Sequence, residues 1–314
     1  MQKNNKLINR IKDRMLLGTI YDQLMLRFKY NDEKTHFLYT VMAGQKHRMI
    51  YYMRLKRKYL DKCTKDCPWE KLEKKVNKNT VWVMWLQGIE NAPDIVKKCI
   101  DSQRKAMPEK KFVIITEENI FDYIELADYI VEKRKRGIIS NAQFSDLVRL
   151  ALLNKYGGYW IDATVYFTDN RLMETVEKYP LFMYSFYYFG FNPEIMEYNS
   201  WFIYSTSNNN VLSLLEKLMH EYWKDYNYLS NYYLWHILES LVNEYYKEEI
   251  DKMPILSQAQ AHVLATYIYD DYDADKYSFL KETTGVHKLS IKFDANRLMR
   301  KGSFYDVIFN GGND

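Results

Sequence analysis

From Asn79 onward, short unbroken apolar runs take turns with stretches whose apolar residues recur every three or four positions. Residues 81–86 (VWVMWL) form a continuous apolar run, as a strand buried on both faces should. Gln87 and Gly88 end that run, and Pro93 opens a helix reaching to about Arg104. Beyond Pro108 a second apolar strand covers 112–115, and the polar stretch 116–119 leads into a helix over 120–133. Strand, helix, strand, helix with short connections predicts a parallel sheet with right-handed crossovers. Ligands of such sheets sit beyond the carboxyl ends of the strands. Trp85, Gln87 and Gly88 fall there, in place to hold a nucleotide base and ribose, although a tryptophan at a strand end also serves as core.

The pattern is densest over residues 141–168, NAQFSDLVRLALLNKYGGYWIDATVYFT. Phe144, Leu147, Val148, Ala151 and Leu152 keep the spacing of a buried helical stripe, which leaves Ser145, Asp146 and Arg149 to face a cleft or solvent. Gly157 and Gly158 stop the helix, because glycine accepts the positive φ that helix ends commonly need. Residues 160–167 then read as one strand. With a period of two, Ile161, Ala163, Val165 and Phe167 share one face, and Trp160, Asp162, Thr164 and Tyr166 the other. An aspartate in such a run is costly unless paired. Two readings of Asp162 are open, a buried carboxylate satisfied by backbone N–H groups or a functional one. Asp146 and Arg149, at i and i+3, are a functional pair or a surface ion pair of small consequence.

Further on, 181–189 and 200–205 read as strands, 208–222 and 232–246 as helices with apolar stripes, and 258–265 as a short helix. The Tyr- and Asn-rich stretch 226–233 suits sugar binding without being diagnostic, and His236 is a packed histidine or a ligand contact. The acidic segment 269–275 lacks the glycine and closing glutamate of a calcium loop and reads as solvated. The basic stretch 133–137 is solvated charge or a partner for a pyrophosphate.

Charge divides the chain unevenly. Residues 1–78 hold 20 Lys+Arg and 8 Asp+Glu, a net +12, against +4 for all 314 residues. We therefore separate a basic helical N-terminal extension, 1–78, from a domain over 79–314. The run 47–60 mixes cations with apolar and aromatic residues. It suits an anionic membrane surface, where each nearby cation contributes about 1 kcal/mol, or a helix packed on the domain. Nucleic acid is not expected, since the remainder is acidic and no binding motif occurs. Three cysteines suit a reducing cytosol, and no apolar run is long enough to span a bilayer. The expected location is cytoplasmic, with the inner membrane face as a docking surface.

The phrase FSDLVRLALLNKYGGYWIDATV, together with WLQG at 85–88 and HKL at 287–289, resembles the capsular polysaccharide synthesis proteins. These belong with the sugar-transferring enzymes of glycosyltransferase family 32, which carry a DXD motif on a GT-A fold. The resemblance implies an α/β, Rossmann-type nucleotide-sugar domain with a mainly parallel central sheet. It also implies a retaining glycosyltransferase acting on a capsular or surface polysaccharide acceptor, lipid-linked in the family's manner, from a nucleotide-sugar donor, with a UDP-sugar favoured. It assigns catalysis to Asp146, Arg149 and Asp162, and donor binding to Trp85, Gln87, Gly88, Ser145, Gly157, Gly158, Thr164, His287 and Lys288. For the leaving diphosphate two readings are open: Mn2+ or Mg2+ on Asp162 and phosphate oxygens, with His287 as a contact to phosphate or metal, or Lys288 and other cations in the ion's place. Here the motif reads Asp162-Ala163-Thr164, so its last acid is missing, and a hydroxyl is a poorer ligand for a hard cation than a carboxylate. The alternatives are a non-catalytic sugar-nucleotide-binding protein of the same fold and a membrane-surface module.

Overall fold

The computed structural model describes Ile11, Asp13 and residues 15–186 and 195–311. The first ten residues of the basic extension, and the end of the strand expected over 181–189, lie outside the described residues. Among the described residues the first two long helices are α1 (Leu16–Phe28) and α2 (Glu33–Leu55). Asp32 caps α2 by accepting the Thr35 N–H at 3.1 Å. A π-turn over Lys56–Leu60 prolongs α2, and Tyr51, Leu55, Tyr59 and Cys63 all go into the core. The cations between them meet the acidic remainder of the chain. Lys58 pairs with Asp225 at 2.8 Å, Lys56 with Glu244 and Lys62 with Glu221. This stretch of the basic region is thus a helix packed against later parts of the chain in one shared core.

Next come β1 (Thr80–Met84), α3 (Asp94–Ala106) and β2 (Lys111–Ile115). The helix expected over 120–133 is two, α4 (Ile120–Tyr123) and α5 (Asp128–Lys135), separated by extended residues. The basic stretch 133–137 starts inside α5 and is largely tied down. Lys133 is buried, its ammonium donating to the Tyr226 carbonyl at 3.0 Å, and Arg134 grips Glu117 with both arms of its guanidinium.

The central segment gives α6 (Asn141–Tyr156) and β3 (Gly158–Ile161). Ser140 accepts the Gln143 N–H as the N-cap of α6. Gly157 (φ +66°) and Gly158 (φ +98°) make the turn, and both need to be glycine. A Cβ on Gly157 would lie 2.9 Å from the Ser205 carbonyl, and one on Gly158 2.6 Å from that of Thr80.

The expected eight-residue strand is broken. Chain direction changes at Asp162, whose carbonyl accepts the Val165 N–H at 3.0 Å. A separate strand β4 (Val165–Phe167) follows. Then come β5 (Leu181–Ser185), β6 (Tyr198–Ser205), α7 (Asn210–Asp225), α8 (Leu234–Tyr245), α9 (Ala259–Tyr267) and β7 (Val286–Lys288).

The main sheet has the order β2-β1-β3-β6-β5. β1 is parallel to β2 and β3, while β6 is antiparallel to β3 and to β5. Four of five strands therefore point the same way, the mainly parallel α/β sheet that was expected. Both faces are covered. Trp82, Trp160 and Ile203 join the core shared with α6, α7 and α8, while Val81, Val83, Tyr159, Ile161 and Phe202 join one shared with α3 and α9. Burial on both sides is why these strands read as unbroken apolar runs. β4 leaves this sheet and pairs antiparallel with β7, Val165 opposite Lys288.

Candidate functional site

Asp162 stands where β3 ends, and four elements hold it there. Its N–H continues the ladder to Trp201 O at 2.9 Å. The buried Gln103 side chain on α3 donates to the carbonyls of Asp162 at 3.2 Å and Val165 at 2.8 Å, securing the turn. From α6, Arg149 Nη2 approaches Asp162 Oδ1 at 3.4 Å, and the Trp160 indole N–H donates to the same oxygen at 3.0 Å. From β7, Lys288 Nζ lies 3.2 Å from Asp162 Oδ2 and 2.5 Å from Thr164 Oγ1.

Behind Arg149 the chain of charges ends at Asp146, its ion-pair partner one helical turn earlier. These two are not a surface pair. Asp146 is 8% exposed and Arg149 4%, because α6 is covered nearly all round by the sheet and by its neighbouring helices. The guanidinium is also held between two indoles, 4.6 Å from the Trp160 ring centre and 5.2 Å from that of Trp235 on α8.

The two carboxylates differ electrostatically. Burial pushes the Asp146 carboxyl up to about 6, against the pull of Arg149. Burial would raise Asp162 too, but Lys288, Arg149 and the Trp160 indole outweigh it and hold that carboxyl below the ordinary range. Asp162 is the more accessible acid and the one that keeps its charge further into the acid range.

Asp162, Thr164 and Lys288 line a cavity of about 650 Å³ with Trp85, Gln87, Ser145, Asn141 and Lys292. It opens past the carboxyl ends of β1 and β3, the position expected for a ligand of such a sheet. Gly88 (φ +79°) closes a turn on the Trp85 carbonyl, which directs Trp85 and Gln87 to the cavity. The Trp85 indole N–H is buried and has no hydrogen-bond partner among the described residues, an orphan donor beside the cavity.

Other expected site residues lie elsewhere. Gly157 and Gly158 are at the opposite end of β3, pressed against the backbone of Ser205 and Thr80, and do not line the cavity. His287 is fully buried and faces away from Lys288, since neighbours on a strand point to opposite sides. Its Nε2 lies 3.2 Å from Thr168 Oγ1, and burial pushes its imidazole down to about 4. His236, next to Trp235, is pushed down to about 3 by burial, with Arg149 and Arg48 adding to the effect. Gln103, Trp235 and Lys292 had no local signal. Each sits in a stretch whose periodicity reads as ordinary helix or loop.

The residues do not fit the divalent ion that a DXD motif implies. Asp162 has three donors on its two oxygens, the Thr164 hydroxyl takes a bond from the same ammonium, and His287 faces elsewhere. Among the described residues there is no group of three or more His, Cys, Asp or Glu placed to share an ion.

A family model described as capsular polysaccharide synthesis protein matches residues 31–308, a span that takes in the whole charged network and the cavity. Among curated proteins none matches. A solved structure named PaToxG glycosyltransferase is similar over 67% of this chain and 84% of that one, with 12% identity and a TM-score of 0.37.

Proposed function

The chain belongs to the family of capsular polysaccharide synthesis proteins, and from that premise we propose that it is a glycosyltransferase. It would move a sugar from a nucleotide-sugar, a UDP-sugar in the favoured case, to a capsular or other surface-polysaccharide acceptor carried on a lipid. The observation that carries this reading is an ionised carboxylate, Asp162, set between two cations at the mouth of a cavity at the sheet's carboxyl edge.

Transfer breaks the bond between the anomeric carbon and the diphosphate, leaving positive charge on the sugar and negative charge on the leaving group. A protein speeds this by placing counter-charges beforehand and by holding both sugars in register. In our reading Trp85 offers its unpaired indole N–H and its ring to the base, with Gln87 beside it. Asp162 accepts hydroxyl groups of the donor, and Lys288 and Lys292 face the diphosphate. Arg149 and Asp146 are too deeply buried to touch the donor, and act as positioning residues that aim and ionise Asp162. We attach retention to the same reading, an α-linked donor giving an α-linked product.

The test is thermal stabilisation of the full chain by a panel of UDP-, GDP-, CMP- and TDP-sugars, because a ligand that binds only the folded state raises the melting temperature. The expected result is a shift with one nucleotide class that is lost in Asp162→Ala. A folded protein that shifts with none of them would sink the reading.

Membrane docking is also part of the proposal. α1 exposes Leu17, Ile20, Leu24 and Phe28, one face of a helix by spacing, and α2 exposes Phe37, Leu38, Met42 and Met49. Arg27, Lys29 and Lys34 lie exposed beside them. Apolar side chains rimmed by cations suit an anionic lipid surface. Among the described residues no helix is long and apolar enough to cross a membrane.

A further inference from the structure

We propose that the Lys288 ammonium takes the place of the divalent ion at this site, so that the nucleoside diphosphate is bound and released without a metal; this rests on the transferase reading above. Positions 162 and 164 are the two ends of the motif whose acids would clamp an ion. Lys288 Nζ sits between those side chains, 3.2 Å from Asp162 Oδ2 and 2.5 Å from Thr164 Oγ1. A dication there would have to displace the ammonium.

The placement is built by the backbone. β7 pairs with β4 so that Val165 faces Lys288, and the Leu289 N–H donates to the Thr164 carbonyl at 2.9 Å. The lysine is thereby stapled beside the turn that carries the motif.

Charge balance points the same way. Two carboxylates, Asp146 and Asp162, face two cations, Arg149 and Lys288, in one connected network. The network is neutral, so it has no surplus negative charge to draw in a dication. Lys292, on the same cavity wall, adds one positive charge. The missing second acid then has a purpose. A carboxylate at 164 would add a negative charge beside Asp162 and give the network a surplus, whereas the threonine hydroxyl holds the ammonium in place without adding one.

During transfer the bond from the anomeric carbon to the diphosphate oxygen breaks, and its electron pair stays on that oxygen. The acceptor oxygen bonds to the anomeric carbon, and its proton leaves with the diphosphate. Lys288 and Lys292 stabilise the charge that grows on the leaving group, in the role a metal would otherwise fill.

The experiment is calorimetric titration of the full chain with UDP and GDP, and with uridine and guanosine, in EDTA and in MnCl2. We expect the preferred nucleoside diphosphate to bind equally well in both, within a factor of about two. Losing one charge-assisted hydrogen bond in Lys288→Met should weaken it at least about tenfold. Lys288→Arg should recover part of that loss. The matching nucleoside, lacking phosphate, should bind wild type and Lys288→Met alike, which a merely structural role for Lys288 would not produce. If Lys288→Met does not fold, Lys288→Gln and the EDTA titration of wild type decide the matter. Binding that vanishes in EDTA and returns with manganese would overturn the inference and leave the transferase standing. No binding of either nucleoside diphosphate in any condition would overturn the inference, and would bring down the transferase reading as well if no nucleotide-sugar of the panel shifts the melting temperature.

Discussion

The guanidinium of Arg149 lies 5.2 Å from the centre of the Trp235 ring, on a helix that reaches the site only through the tertiary fold. Trp235 is 2% exposed and closes the side of Arg149 that Trp160 leaves open. Trp235→Ala should therefore cost about 3 to 5 kcal/mol in urea unfolding. Trp235→Phe, which keeps a ring, should fold well yet lower transfer by slackening Arg149. Equal transfer by Trp235→Phe and wild type would remove Trp235 from the positioning set.

Removing Arg149 strands a buried acid. Arg149→Met should destabilise the protein by about 3 to 5 kcal/mol, as breaking a buried ion pair from one side usually does. Arg149→Met combined with Asp146→Leu should recover most of that loss, while transfer stays low because Asp162 has lost a neighbour. A double-mutant cycle with no coupling between the two positions would contradict this account.

Asp162→Asn keeps the shape of the side chain and removes its charge. We expect transfer to drop about a hundredfold, the scale seen when one preorganised electrostatic group is lost. The readout is initial rate at saturating donor. A variant within a few-fold of wild type would mean that Asp162 does not meet the reacting groups.

Acid should unfold the protein partly through His287. Its imidazole titrates near 4 when folded, against an ordinary value of 6.5, because burial penalises the charged ring. A depressed folded value means that the group's contribution to stability is complete above pH 6.5 and is lost as pH falls through about 4. Across that window the loss from this one ring approaches about 3 kcal/mol. Denaturant melts of wild type and His287→Gln at a series of pH values should converge with wild type falling faster on the acid side. Parallel curves would exclude His287 as the source.

Gly158→Ala should act on folding alone. The added methyl meets the Thr80 carbonyl at 2.6 Å with the backbone at φ +98°, a conformation costly for residues with a Cβ. The melting temperature should drop by several degrees, while folded protein binds the nucleotide with unchanged Kd. A weakened Kd would put this turn back at the donor site.

Docking on lipid is checked by co-sedimentation with phosphatidylcholine vesicles, with and without phosphatidylserine. Binding should require the anionic lipid and weaken with salt. It should also fall in Leu17→Ser/Phe28→Ser, whose side chains are exposed, so that the fold should stay intact. Equal sedimentation of that variant would exclude this face.

Much of the architecture was legible in the sequence by itself. Unbroken apolar runs marked β1, β2 and β6 because both faces of that sheet are buried, and the two glycines marked the end of α6 because only glycine fits there. The resemblance centred on Phe144 to Val165 also led to the residues that prove to be connected, Asp146, Arg149 and Asp162. The tertiary structure decided the rest. Residues 160–167 alternate perfectly for one strand, yet the chain turns at Asp162, because Gln103 holds the turn and β7 claims β4. Asp146 and Arg149 lie off the apolar stripe of their helix and are buried all the same, since Trp160 and Trp235 flank Arg149 and the sheet and neighbouring helices enclose the rest of α6. Adjacent residues of the HKL segment part company, Lys288 to the cavity and His287 to the interior. A local pattern records which positions are buried and with what period. Which distant cation meets which carboxylate is set by strand pairing, and that is a property of the folded chain.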